Sequence, residues 1–126
     1  MPATPGGVGV PDIGRVLIDD ILYSVKSART TATTSGLTQI VAAVVGKRIK
    51  PLAWTIGPVS AAVTVQLEDT AGTPVVVVGP AYCAANGGIA NGTYKETDQI
   101  GTSGLAININ ISGNVNSPVH LWYVEV

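Results

Sequence analysis

The chain has 126 residues, a net charge of −1, 46% hydrophobic residues and 12% charged ones, against a usual charged share of about 25%. That size suits one domain with its own core, and this much apolar content excludes a disordered chain. A near-neutral charge excludes a strong steering field for nucleic acid, and a lone cysteine, Cys83, excludes an intrachain disulfide or a thiolate metal cluster.

Apolar runs are short, Val75 to Val78 among them, far below the roughly 20 residues of a membrane-spanning helix. No membrane partner is expected. So little charge implies an outer surface that is either uncharged and polar or covered by another surface.

Residues 1 to 14, MPATPGGVGVPDIG, hold seven Gly or Pro. They have neither the basic nor the apolar stretch of a signal peptide, so none is expected. Proline favours extended backbone here, and the segment could reach about 50 Å at about 3.5 Å per residue. It is either a mobile tail or an arm laid on a neighbouring subunit. In the second case Val8, Val10 and Ile13 are the side chains with apolar surface to bury.

Arg15 to Ser27, RVLIDDILYSVKS, has mixed periodicity. Ile13, Leu17 and Ile21 match a helix, whereas Ile21, Tyr23 and Val25 alternate as on a strand. Its β-branched content favours the extended form. Thr30 to Gly36, TTATTSG, is expected to be a linker, so residues 1–36 are assigned to an arm and linker and residues 37–126 to the folded domain.

Beyond residue 36 the pattern is that of β-structure. Val63, Val65 and Leu67 alternate with Thr64, Gln66 and Glu68, and Leu105, Ile107, Ile109 and Ile111 alternate with Ala106, Asn108, Asn110 and Ser112. Such period-two alternation marks strands with one face turned inward. Turn residues separate the runs: Asp69 to Gly72, Asn86-Gly87-Gly88, Asn91-Gly92 and Ser112-Gly113-Asn114. The fold class is therefore all-β, an antiparallel sandwich or barrel.

The last strand, from Val119 to Val126, is apolar on both faces, which a solvent-facing antiparallel strand would not be. Its second face should be covered, by another subunit or by the N-terminal arm. Trp54 and Trp122 are the largest apolar groups in a chain without Phe. Trp122 is the candidate contact residue, and Trp54 suits the core equally well.

Catalytic chemistry is hard to assemble from these residues, and no enzyme activity is expected. The one histidine, His120, has no G-x-S-x-G turn to serve, and is read as a hydrogen-bonded structural residue. Cys83 is read as a small buried hydrophobe. Asp19-Asp20 and Glu68-Asp69 are adjacent acidic pairs, which on a strand would point to opposite faces. No metal or cofactor is expected. Lys47, Arg48 and Lys50 form the one basic cluster, at a turn leading into the strand of Trp54. It is either a solvated strand entrance or a docking contact for an acidic protein surface.

Four strings, VAAVVGKRIKPLAWTI, AANGGIANGTYKET, LAININISGNV and HLWYVEV, together resemble a group of small proteins encoded among tailed-phage virion genes. That group shows a G-K-[KR]-[IV]-[KR] turn, an A-A-N-G-G turn, an L-x-[IL]-N-[IL] strand and an H-L-x-Y-x-E-V ending in the same order. The resemblance covers residues 37–126. The loop after Gly88 looks shorter here, with Tyr94 at its aromatic position.

The resemblance implies a jelly-roll-like sandwich on the outer capsid surface of a virion, as a bacteriophage decoration or cement protein. Its partners would be copies of itself, with a trimer preferred, and the major capsid protein. The alternative is a receptor- or carbohydrate-binding module of a tail fibre or baseplate. Aromatics at 5% make the sugar-binding signature of that alternative faint.

Overall fold

A computed structural model of the chain describes residues 14–91 and 100–126. Among them there is no helix. Ten strands follow in order: β1 (Arg15–Ile18), β2 (Ile21–Ser24), β3 (Lys26–Ala32), β4 (Gly36–Val41), β5 (Ile49–Ile56), β6 (Val63–Asp69), β7 (Val76–Cys83), β8 (Ile89–Asn91), β9 (Ile107–Ile111) and β10 (Ser117–Glu125).

Strands β1 and β2 form a hairpin. The other eight make two four-stranded sheets, β3-β10-β5-β8 and β4-β9-β6-β7, antiparallel throughout. Pairing is nested: β3 with β10, β4 with β9, β5 with β8 and β6 with β7. Two further pairings, β10 with β5 and β9 with β6, knit the nested pairs into the two sheets. The result is an antiparallel β-sandwich.

The core between the sheets is built from the alternation seen in the sequence. Val63, Val65 and Leu67 of β6 and Ile107, Ile109 and Ile111 of β9 meet Ile49, Ile56, Val119, Leu121 and Tyr123 of the first sheet. Each fully buried Ile or Leu contributes about 1.5–3 kcal/mol relative to exposure, and branched side chains suit the pleated surface. Trp54, opposite Leu121 in register, packs against this cluster while half-buried. Cys83 is 2% exposed within it, and burial pushes its thiol pKa up, which leaves the sulfur unreactive.

Several boundaries differ from the sequence reading. The sandwich begins at Lys26, because Lys26–Ala32 pairs along β10 from Tyr123 to Ser117. The threonines of β3 favour a strand as well as a linker, and only residues 33–35 connect it to β4. Arg15 to Ser24 is extended as expected, but as two strands. The Asp19-Asp20 pair lies at their turn rather than on a strand. Both residues have positive φ, 49° and 64°, the conformation of a two-residue type I′ hairpin loop. Val8, Val10 and Ile13 lie outside the described residues, as does Tyr94.

The Ala84-Ala85-Asn86-Gly87-Gly88 turn is pinned against the end of β5. Val59 donates its N–H to the Gly87 carbonyl at 2.9 Å, and its carbonyl accepts from Asn86 N–H at 2.8 Å. A Cβ on Gly88 would come within 2.1 Å of the Ile56 carbonyl oxygen, a strand backbone atom that cannot move aside. Gly88→Ala should therefore cost more than about 2 kcal/mol by chemical denaturation. Gly113→Ala, where a Cβ would meet only a Val115 methyl at 3.9 Å, should stay within about 1 kcal/mol of wild type.

Candidate functional site

Two solvent-side faces remain once the core is filled, one per sheet. On the first sheet, β10 turns His120, Trp122 and Val124 outward. Its pairing with β5 slips at one point: Trp122 opposes Ala53 and Tyr123 opposes Pro51, leaving Leu52 without a partner. This bulge places Leu52 with Val124 and with Ile18 of the hairpin in a second apolar cluster, edged by Val16, Tyr23, Val25 and Val126. The covered second face of β10 is thus covered, at its C-terminal end, by β1–β2 of the same chain.

The hairpin's own outer side is not covered by the described residues. Leu17 and Leu22 oppose each other directly in register and are 58% and 55% exposed, with Ile21 at the tip 54% exposed. A directly opposed Leu pair facing water, on a hairpin too small to be stable by itself, is an apolar contact surface.

Beside the hairpin the first sheet is open. Arg29, Thr30, Thr31, Thr55, Pro118 and His120 line a groove of about 340 Å³. His120 stacks on Trp122, with ring centroids 3.7 Å apart and planes tilted by 33°. Its Nε2 is buried without a hydrogen-bond partner, so at that nitrogen the ring is held by stacking and not by the hydrogen bond expected of it. Burial and then the Arg29 charge hold its pKa below the usual imidazole value.

The basic cluster is divided. Lys47 and Arg48 are exposed; the Lys47 N–H closes a turn onto the Val44 carbonyl, and the Arg48 backbone exchanges two hydrogen bonds with Val126. Lys50, however, is 4% exposed. It lies opposite Val124 in register, on the side of the sheet where the hairpin packs over Val124 and Leu52, and this cover withdraws it from the surface patch expected of it. Trp122 is half-buried on the outer face, between the His120 ring and the end of the sheet that carries the hairpin.

The two members of the Glu68-Asp69 pair have separate duties, both missed in the sequence. Asp69, fully buried, accepts hydrogen bonds from the N–H groups of Ala71, Val75 and Thr102 and from the Thr102 hydroxyl. Burial raises its pKa, but these donors, the Thr102 hydroxyl foremost, outweigh it and hold the carboxyl below its usual range. Asp69 is a structural clamp on the β6–β7 turn. Glu68 faces the other way, onto the outer side of the second sheet. Among the described residues no three His, Cys, Asp or Glu side chains converge to hold a metal ion.

Because His120 is the single histidine, its proton NMR titration is unambiguous, and its midpoint should fall below about 6.5. A folded-state pKa depressed below the unfolded value means that stability is full above about pH 6.5 and declines as pH falls towards the folded value. His120→Phe should remove that decline. A midpoint at or above the unfolded value would contradict the half-buried, Arg29-flanked ring.

No family model, curated protein or solved structure matches this chain.

Proposed function

We propose that this protein is a structural component of a tailed-phage virion, a decoration or cement protein that binds the major capsid protein on the outer capsid surface as a homo-oligomer, with a trimer preferred. The observation that carries the reading is the outward-facing Leu17–Leu22 pair, with Ile21 exposed at the hairpin tip. These apolar side chains are presented on a hairpin that is itself clamped to the sandwich through Ile18, Leu52 and Val124.

A rigid scaffold that displays an apolar strip is suited to protein–protein contact. Burying the strip yields roughly 25 cal/mol per Å² before association costs, and repetition over a lattice multiplies modest contacts through avidity. The ordered motifs of residues 37–126 support the virion assignment, and the nested strand pairing supports the jelly-roll form of the sandwich. Gly14, just before the hairpin, accepts the Val25 N–H on its carbonyl at 2.9 Å. An arm bearing Val8, Val10 and Ile13 would add apolar surface to such a contact, and the exposed Lys47 and Arg48, beside Val126 at the C-terminal end of β10, offer one to an acidic partner.

The full chain should sediment as an oligomer at micromolar concentration. Leu17→Ser with Leu22→Ser should shift it towards monomer while altering thermal stability little, since exposed positions change stability by about 0.5 kcal/mol. A wild-type chain that sediments as a well-folded monomer would overturn the oligomer reading. The alternative, a receptor- or carbohydrate-binding module of a fibre or baseplate, is favoured by one feature, the polar side chains of Thr64, Gln66, Asn110 and Ser112 on the outer side of β6 and β9.

A further inference from the structure

The outer face of β4-β9-β6-β7 has an order that the core does not require. Since Val65 and Leu67, and Ile109 and Ile111, point inward, their neighbours Gln66 and Glu68 on β6 and Asn110 on β9 point outward. Gln66 and Asn110 are opposite each other in register. Both donate amide N–H groups to the same carboxylate oxygen, Glu68 Oε1, at 2.5 and 2.9 Å.

Glu68 is only 4% exposed, so its charge is sheltered and its hydrogen bonds to the two amides are strong ones. With each amide nitrogen turned towards Glu68, the carbonyl oxygen on the other branch of the planar group is directed away from it. The two oxygens are fixed acceptors on a sheet, held by a buried group whose evident role is to hold them.

Next to them lies a shallow groove of about 200 Å³, lined by Thr64, Gln66, Asn110 and Ser112. The Thr64 N–H donates to Ser112 Oγ at 2.9 Å, which fixes that hydroxyl at the groove wall. Tyr82, paired with Thr64 in register, stands one strand away, about 4.8 Å along the sheet, and is 69% exposed. One row along, Asn108 is 4% exposed with its Nδ2 unpartnered, an unspent donor in a site otherwise rich in acceptors.

We infer that this face, with Thr64, Gln66, Asn110 and Ser112 lining the groove and Tyr82 on the neighbouring strand, is a binding site for a neutral saccharide. Fixed amide oxygens and hydroxyls match the dense hydroxyl pattern of a pyranose, and an exposed phenol ring offers a platform for the sugar's apolar C–H face. The ligand is neutral because, among the described residues, no charged side chain lines the groove. The site is on the opposite sheet from the hairpin and does not depend on the decoration reading. A cement protein could carry it as a host-surface contact, and a fibre module could carry it as the main function.

The test is titration of the full-length, ¹⁵N-labelled chain with neutral tetrasaccharides built from glucose, galactose or mannose, alongside a uronate tetrasaccharide. The expected result is a saturable shift of the backbone amides of Tyr82, Thr64, Gln66, Asn110 and Ser112 with at least one neutral probe, and weaker binding of the uronate. Tyr82→Ala should weaken binding by about tenfold or more, and Asn110→Ala similarly, with both variants still folded by circular dichroism. Arg29→Ala, in the groove of the other sheet, should bind as wild type. Shifts located in the Arg29–His120 groove, tighter binding of the uronate, or no shift with any neutral probe at millimolar concentration would each overturn the proposal. Sedimentation of the Leu17 and Leu22 variant reports separately on the decoration reading.

Discussion

Strand β10 has to be covered on both sides, and much of the molecule answers to that constraint. It is a central strand of its sheet, hydrogen-bonded to β3 on one side and β5 on the other. Its inward side chains, Val119, Leu121 and Tyr123, complete the sandwich core. Its outward side would leave Val124 in water if the chain did not return there. The β1–β2 hairpin does so, and the bulge that frees Leu52 from the β5–β10 ladder supplies the third side chain that the contact needs. Two-sided burial of the last strand thus ties the two ends of the described chain together. The pairing is non-local, so the fold closes only when the C-terminal strand is in place.

That arrangement determines what is left for partners. The hairpin spends Val16, Ile18 and Tyr23 on β5 and β10 and turns Leu17 and Leu22 to the outside. A rigid apolar strip therefore appears on one sheet for a structural reason and is available for association. On the other sheet the outer side carries amides organised around the Glu68 carboxylate, with exposed Leu37 opposite Asn110 at one edge and exposed Tyr82 at the other. One face is suited to protein contact and the other to a hydroxylated ligand, with the core between them.

The strands around Val63 to Glu68 and Ile107 to Ile111 could be read directly, because burial on one side alone writes alternation into the sequence. Cys83 in the core followed from general burial tendencies. The edge strand β3 could not be read in the same way. Its KSARTTA is polar and pairs only with β10, so it carries little apolar signal, and its threonines fit linker and strand equally. The hairpin turn was hidden because Asp-Asp is not the usual Asn-Gly pair, although Asp tolerates positive φ.

Lys50 was misplaced because spacing along the sequence does not report a register set by β10. The polar face was missed for a different reason. Glu68 and Asn110 are far apart in sequence, and only the β6–β9 register brings their side chains within hydrogen-bond reach. Tyr82 sits in a run, GPAYCAA, whose apolar neighbours disguise an outward-facing ring. The signal that could have exposed it is the alternation of Ala81 and Cys83 inward with Tyr82 between them.

The central claim is that this is a repeated shell component, and stoichiometry tests it most directly. Quantitative mass spectrometry of purified particles that carry this gene product should find it at a copy number comparable with that of the major capsid protein. Its release should accompany loss of resistance of the shell to heat. A copy number matching a tail fibre or baseplate subunit, or absence from the particle, would contradict the account.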